Sequence, residues 1–200
     1  MNTKTVTLKK TGVNKSVSIL IKLALSLAFV AAGVLLPQGF HIFGSAAGKT
    51  FLPMHLPVLL AGFVLGPIYG CMVGVITPIL SCLFTAMPQA PTVFFMIAEL
   101  GVYGLCTGIL SKGKAQGYFA ALSRLAIALV CGKAVYAIAL FVCGSLLQLN
   151  VPPAIGYISG ISAGMPGMII QIAVIPVAVA MLSKGGFLHE RTTGNSKTNP

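Results

Sequence analysis

The chain contains no aspartate, and Glu99 and Glu190 are its only acids among 200 residues. A nucleotide hydrolase needs an acid beside its metal ion, so this scarcity excludes an ATPase acting alone. Gly44-Ser45-Ala46-Ala47-Gly48-Lys49-Thr50 imitates a phosphate loop but is one residue short between its glycines, and Phe43 occupies the required position. Any ATP used must be hydrolysed by a partner. Charge is also scarce: charged residues make up 8% of the chain against 56% hydrophobic. With a mean hydropathy of +0.97, that excludes a soluble domain and identifies an integral membrane protein. The formal charge of +11 does not indicate nucleic-acid binding, because the basic residues lie at the chain ends and in one internal loop, without a basic patch alternating with aromatics. The five cysteines, Cys71, Cys82, Cys106, Cys131 and Cys143, show no Cys-x-x-Cys spacing, so neither a metal site nor a cofactor is expected.

What the chain has is apolar runs. Crossing about 30 Å of hydrocarbon takes about 20 apolar residues, and six candidates run from Ser18 to Leu36, Met54 to Gly66, Tyr69 to Phe84, Thr92 to Leu110, Arg124 to Leu147 and Ala163 to Leu182. The expected fold is an all-α bundle of six transmembrane helices. The second is short, about 20 Å at 1.5 Å per residue, and must be tilted, shielded or partly inserted. A basic start followed by an apolar run, with Ser45-Ala46-Ala47 before Gly48, resembles a secretory signal, but the run exceeds the usual signal core and five further spans follow.

Lysine and arginine orient the bundle, since cytoplasmic loops carry their excess. Lys4, Lys9, Lys10 and Lys15 precede the first span, Lys112, Lys114 and Arg124 lie between the fourth and fifth, and Lys184, Arg191 and Lys197 follow the sixth. Six crossings put all of these on one side, leaving Lys49 on the other, while Lys22 snorkels to the inner interface. Both termini are therefore expected in the cytoplasm. Residues 1–15 and 185–200 are read as polar, mobile tails flanking a membrane domain of residues 16–184.

Ionisable and polar groups inside spans are the functional suspects, since a charge at membrane depth costs about 2.5 to 3.5 kcal/mol and such residues mark pathways or binding sites. Counted by helix rise, Glu99 lies about 10 Å and Gln171 about 12 Å below the outer surface, with Lys133 about 18 Å and Tyr136 about 14 Å below the outer end of the fifth span. Tyr103 is one turn beyond Glu99. His55 follows Pro53 at the outer start of the second helix, where free amides help hold a polar or anionic ligand. The binding candidates are His55, Glu99, Tyr103, Lys133, Tyr136, Asn150 and Gln171. A Glu99–Lys133 ion pair that only ties helices together is the competing reading. Gly160-Ile161-Ser162-Ala163-Gly164 matches a nucleophile elbow, but it lacks the strand context and the acid-held histidine that Ser162 would need with His41 or His55. Its small residues are read as helix packing and hinge positions.

The run Leu52-Pro53-Met54-His55-Leu56-Pro57-Val58-Leu59-Leu60-Ala61-Gly62-Phe63, then Gly66-Pro67-Ile68-Tyr69-Gly70, Thr77-Pro78, Met87-Pro88, Ala98-Glu99-Leu100 and Tyr103-Gly104, resembles the substrate-binding S components of energy-coupling factor transporters. More narrowly it is similar to the branch with pantothenate, pyridoxine-type and cobalamin carriers. The resemblance implies a subunit in a prokaryotic plasma membrane that captures a vitamin from outside. Its implied partners are a transmembrane coupling protein and two cytoplasmic ATPases. It also implies a docking face of small residues spaced by four on the first helix, here Ala24, Ala28 and Ala32, and a loaded subunit that topples in the membrane. The segment from Pro37 to Pro53 is read as a lid, with a plain extracellular connection as the alternative. Two other classes use the same residues: a self-sufficient carrier with Glu99 as proton site and Lys133 as counter-charge, and a membrane scaffold.

Overall fold

The computed structural model describes residues 3–41, 50–112, 117–142 and 154–184, with side chains for 17–40, 50–112, 117–142 and 164–184. The six helices described are α1 (Thr3–His41), α2 (His55–Leu65), α3 (Pro67–Thr85), α4 (Thr92–Ser111), α5 (Tyr118–Phe141) and α6 (Ala154–Lys184). There is no strand among the described residues. All but α2 contain an apolar window long enough to cross a membrane.

Helices successive in the chain alternate in direction. Glu99 meets Lys133 and Phe95 meets Tyr136, so α4 and α5 run antiparallel. Gly70 abuts Gly104 while Gly74 abuts Leu100, which makes α3 and α4 antiparallel as well. Lys22 lies over Tyr69 and Gly33 against Thr77, so α1 and α3 run the same way. Lys22, Lys112, Arg124 and Lys184 thereby share one end of the bundle, the end that the charge pattern assigns to the cytoplasm.

The eleven-residue α2 spans only about 16 Å at 1.5 Å per residue. Its shortness is tolerated because α1, α3, α4 and α6 all pack against it. Pro57, Val58, Leu59, Ala61, Gly62, Phe63 and Leu65 are buried there. In lipid this burial expels no water, so the stabilisation comes from close packing and dispersion. Glycine sets that closeness. A Cβ on Gly70 would stand 2.6 Å from both the Gly104 carbonyl oxygen and the Gly62 Cα, and one on Gly104, Gly74 or Gly108 would collide with the backbone of Gly70, Leu100 or Pro67. Helices α2, α3 and α4 thus touch backbone to backbone through their middle and inner parts. The turn from α2 to α3 is a single residue, Gly66, at φ 92° and ψ −177°, a conformation open essentially to glycine alone. Pro67 then starts α3 at a position where its missing N–H is harmless.

Several sequence expectations need correction. Helix α1 begins at Thr3 and continues through Pro37 to His41, so the first residues of the expected lid are helical. An interior proline ordinarily ends a helix, but Pro37 is buried in the bundle, and packed membrane helices tolerate the lost hydrogen bond. Helix α5 starts six residues before Arg124, and α6 nine residues before Ala163, passing through Pro166 and Pro176. Residues 160–164, the apparent nucleophile elbow, lie inside α6 rather than at a strand-to-helix turn. Asn150, Lys49, Cys143 and residues 42–49 of the expected lid lie outside the described residues.

Candidate functional site

Helix α4 carries the site because it is packed on three sides, against α2, α3 and α5. Its buried positions include Phe95, Glu99, Tyr103, Thr107 and Ser111, four residues apart, so one face carries an aromatic, an acid, a phenol and a hydroxyl in turn. Glu99 Oε1 lies 2.6 Å from Lys133 Nζ; the Glu99 side chain is 3% exposed and that of Lys133 23%. The pair is therefore open only on its lysine side. Tyr103 donates its hydroxyl to the same carboxylate oxygen at 2.7 Å, so Glu99 is held by a cation and a phenol together, as a buried carboxylate must be.

Tyr103 is itself fixed. A Cβ on Gly132 would run into its ring, so the absence of a side chain on α5 leaves room for the aromatic. On the other side, the His55 ring lies 5.6 Å from that of Tyr103, tilted by 56°. His55 is 2% exposed; its imidazole has the Leu52 backbone as a hydrogen-bonding neighbour and feels the charges of Glu99 and Lys133, while neither ring nitrogen reaches a partner with full hydrogen-bond geometry. One turn outward, Tyr136 meets Phe95 edge to face at 5.7 Å, and the Lys133 ammonium lies 5.8 Å from the Tyr136 ring centre, within cation–π range.

Gln171 arrives from α6. This helix packs on α2 and α5; Gly167 abuts the backbone of Thr50 and Phe51, and Ile175 shares a core with Met54 and Val58. Gln171 lies one turn from each, level with the start of α2, and is 1% exposed with neither side-chain amide atom bonded. Because α6 starts early, counting from its first residue misplaces Gln171, whereas its neighbours locate it.

The structure thus brings together Glu99, Lys133, Tyr103 and His55 directly, with Tyr136 at their margin, and adds Gln171 from α6, which packs against both α2 and α5; Asn150 is not described. Ala24 and Ala28 are exposed and Ala32 half-buried on α1, whose inward strip is Val30, Gly33 and Pro37. Sequence reasoning missed Phe95 and Gly132. Phe95 stands one turn before Glu99 and Gly132 immediately before Lys133, so spacing from the charged pair would have found both. Cys71, Cys82, Cys106 and Cys131 are free thiols, and among the described residues no three His, Cys, Asp or Glu side chains cluster to hold a metal.

Comparison with known families identifies the family of the chain. The model described as ECF transporter, substrate-specific component, matches residues 18–184. No curated protein and no solved structure matches the chain.

Proposed function

The chain belongs to the substrate-specific components of ECF transporters, and from that premise we propose that it captures a water-soluble vitamin or related micronutrient at the outer face of a prokaryotic plasma membrane. The branch with pantothenate, pyridoxine-type and cobalamin carriers is the one its motifs favour. The observation that carries this reading is the gathering of His55, Glu99, Tyr103, Lys133 and Gln171 towards one end of the bundle, whereas the other buried polar side chains described, Thr77, Ser81, Thr107 and Ser111, are small hydroxyls. Placing a charge in a membrane is costly, and groups retained there ordinarily serve a solute.

Energy comes from two cytoplasmic ATPases acting through a transmembrane coupling protein, which docks on the face of Ala24, Ala28 and Ala32. Small residues at that spacing let a partner helix approach closely. Delivery proceeds by toppling of the loaded subunit. The backbone contacts among Gly62, Gly70, Gly74, Gly104 and Gly108 support motion as one body, because helices touching at their backbones have no slack for rocking apart.

The test is to purify the chain from its own membranes and identify the co-eluting solute by mass spectrometry. That solute is then followed into proteoliposomes with and without the coupling protein and ATPases. Uptake should require both partners and ATP. Uptake by the chain alone, driven by a proton gradient, would replace this reading with the self-sufficient carrier, in which Glu99 takes the proton.

A further inference from the structure

Two buried side chains have hydrogen-bonding capacity that the fold does not use. His55 and Gln171 are 2% and 1% exposed; both side-chain amide atoms of Gln171 lack partners, and the imidazole nitrogens of His55, beside the Leu52 backbone, reach none with full hydrogen-bond geometry. Most buried polar atoms are paired, so each exception needs an explanation. Here there are four such atoms, on two helices packed against each other. The charged members of the site are in the opposite condition. Glu99 is already bonded to Lys133 and to the Tyr103 hydroxyl, and the pair sums to zero charge.

We infer that His55 and Gln171 together receive an uncharged donor-and-acceptor group of the solute, a hydroxyl, amide or ring nitrogen, and that the solute as a whole carries no net charge while the Glu99–Lys133 pair stays closed. The inference rests on the capture function proposed above. Its chemistry follows from the inventory of each side chain. A neutral imidazole offers one N–H donor and one bare nitrogen acceptor; the primary amide adds two donor hydrogens and an acceptor oxygen. Only a group that both gives and accepts hydrogen bonds satisfies such a set. A carboxylate or phosphate would use the donors and leave the bare imidazole nitrogen and the amide oxygen facing negative charge. An anion would also have to draw Lys133 away from Glu99, leaving a carboxylate that is 3% exposed with only the Tyr103 hydroxyl. A cation would compete with Lys133 for Glu99 and leave the ammonium stranded instead.

The same reasoning sets the empty protein apart from the loaded one. Unsatisfied buried groups weaken the fold that carries them, so replacing them with apolar groups of similar shape relieves the empty protein while removing the function. The test uses the full chain in lipid nanodiscs with charge-graded probes: pyridoxine and nicotinamide as uncharged solutes, pantothenate and biotin as anions, and thiamine as a cation. Thermal unfolding and calorimetry are the readouts. An uncharged probe should bind best, and both Gln171→Leu and His55→Phe should weaken it at least tenfold while raising the melting temperature of the empty protein. Preference for an anion or the cation overturns the assignment and leaves capture standing, as does unchanged affinity in both variants. A lower melting temperature in both variants assigns the two side chains to the fold. Failure of every probe to bind counts against capture and this inference together.

Discussion

Tyr103 and Gly132 are matched in shape: the Tyr103 ring occupies the space where a side chain at Gly132 would stand. The same Tyr103 donates to Glu99, whose partner Lys133 follows Gly132 in α5. The fit between a phenol on α4 and a bare backbone on α5 therefore sets the position of the ion pair, and this defines the first prediction. Gly132→Ala should push the ring aside and lower stability by about 1 to 3 kcal/mol, the usual cost of overpacking. Affinity for the captured solute should fall in parallel. Thermal unfolding and calorimetry check it, and Tyr103→Phe separates the two effects, since it keeps the ring and removes only the hydroxyl. Unaltered melting of the Gly132→Ala variant would mean that α5 shifts freely to make room.

The second prediction concerns the pair itself. Glu99→Gln keeps the shape but strands a half-buried ammonium, so the melting temperature should drop, and adding Lys133→Met should restore it by removing the stranded charge. Affinity should recover with stability, since the solute bonds to His55 and Gln171 while the pair stays closed. Affinity that stays about ten- to a hundredfold weaker in the double variant, the worth of a charge-assisted hydrogen bond of about 1.5 to 3 kcal/mol, would mean that the solute bonds to the pair directly.

Binding and coupling should separate on α1. Ala28 is exposed, away from the strip of Val30, Gly33 and Pro37 that packs inward, so Ala28→Trp should leave solute affinity intact. Co-purification with the coupling protein and ATP-dependent uptake should both be lost, because a bulky side chain holds the partner's backbone away. Loss of affinity with assembly unchanged would move this helix from docking face to binding site.

Topology offers the fourth prediction. In a variant lacking the native cysteines, single cysteines in the two tails should react with a membrane-impermeant reagent only from the cytoplasmic side, and one at Lys49 only from outside. Tails reactive from opposite sides would require an odd number of crossings and would reverse the level assigned to the whole site.

The sequence by itself determined that this is a membrane bundle, and it located the helices. Hydrocarbon thickness imposes a length on apolar runs, and the scarcity of charge left Glu99, Lys133 and the aligned lysines and arginines conspicuous. It also named His55, Glu99, Tyr103, Lys133, Tyr136 and Gln171, because a polar group inside an apolar span is visible as such. Helix ends were less legible. Pro37 reads as the end of the first span, yet neighbouring helices carry α1 through it. Two matters were decided by the tertiary structure alone. Whether Glu99 and Lys133 pair depends on the register of α4 against α5, which is set by the fit of Tyr103 to Gly132 and of Phe95 to Tyr136, contacts about 30 residues or more apart in the chain. That His55 and Gln171 keep unused hydrogen-bonding capacity depends on the depth at which α2 lies inside the bundle, which is fixed by glycine contacts between helix backbones. Hydropathy reports what enters the membrane, whereas register and close approach arise only when side chains from different helices compete for the same space.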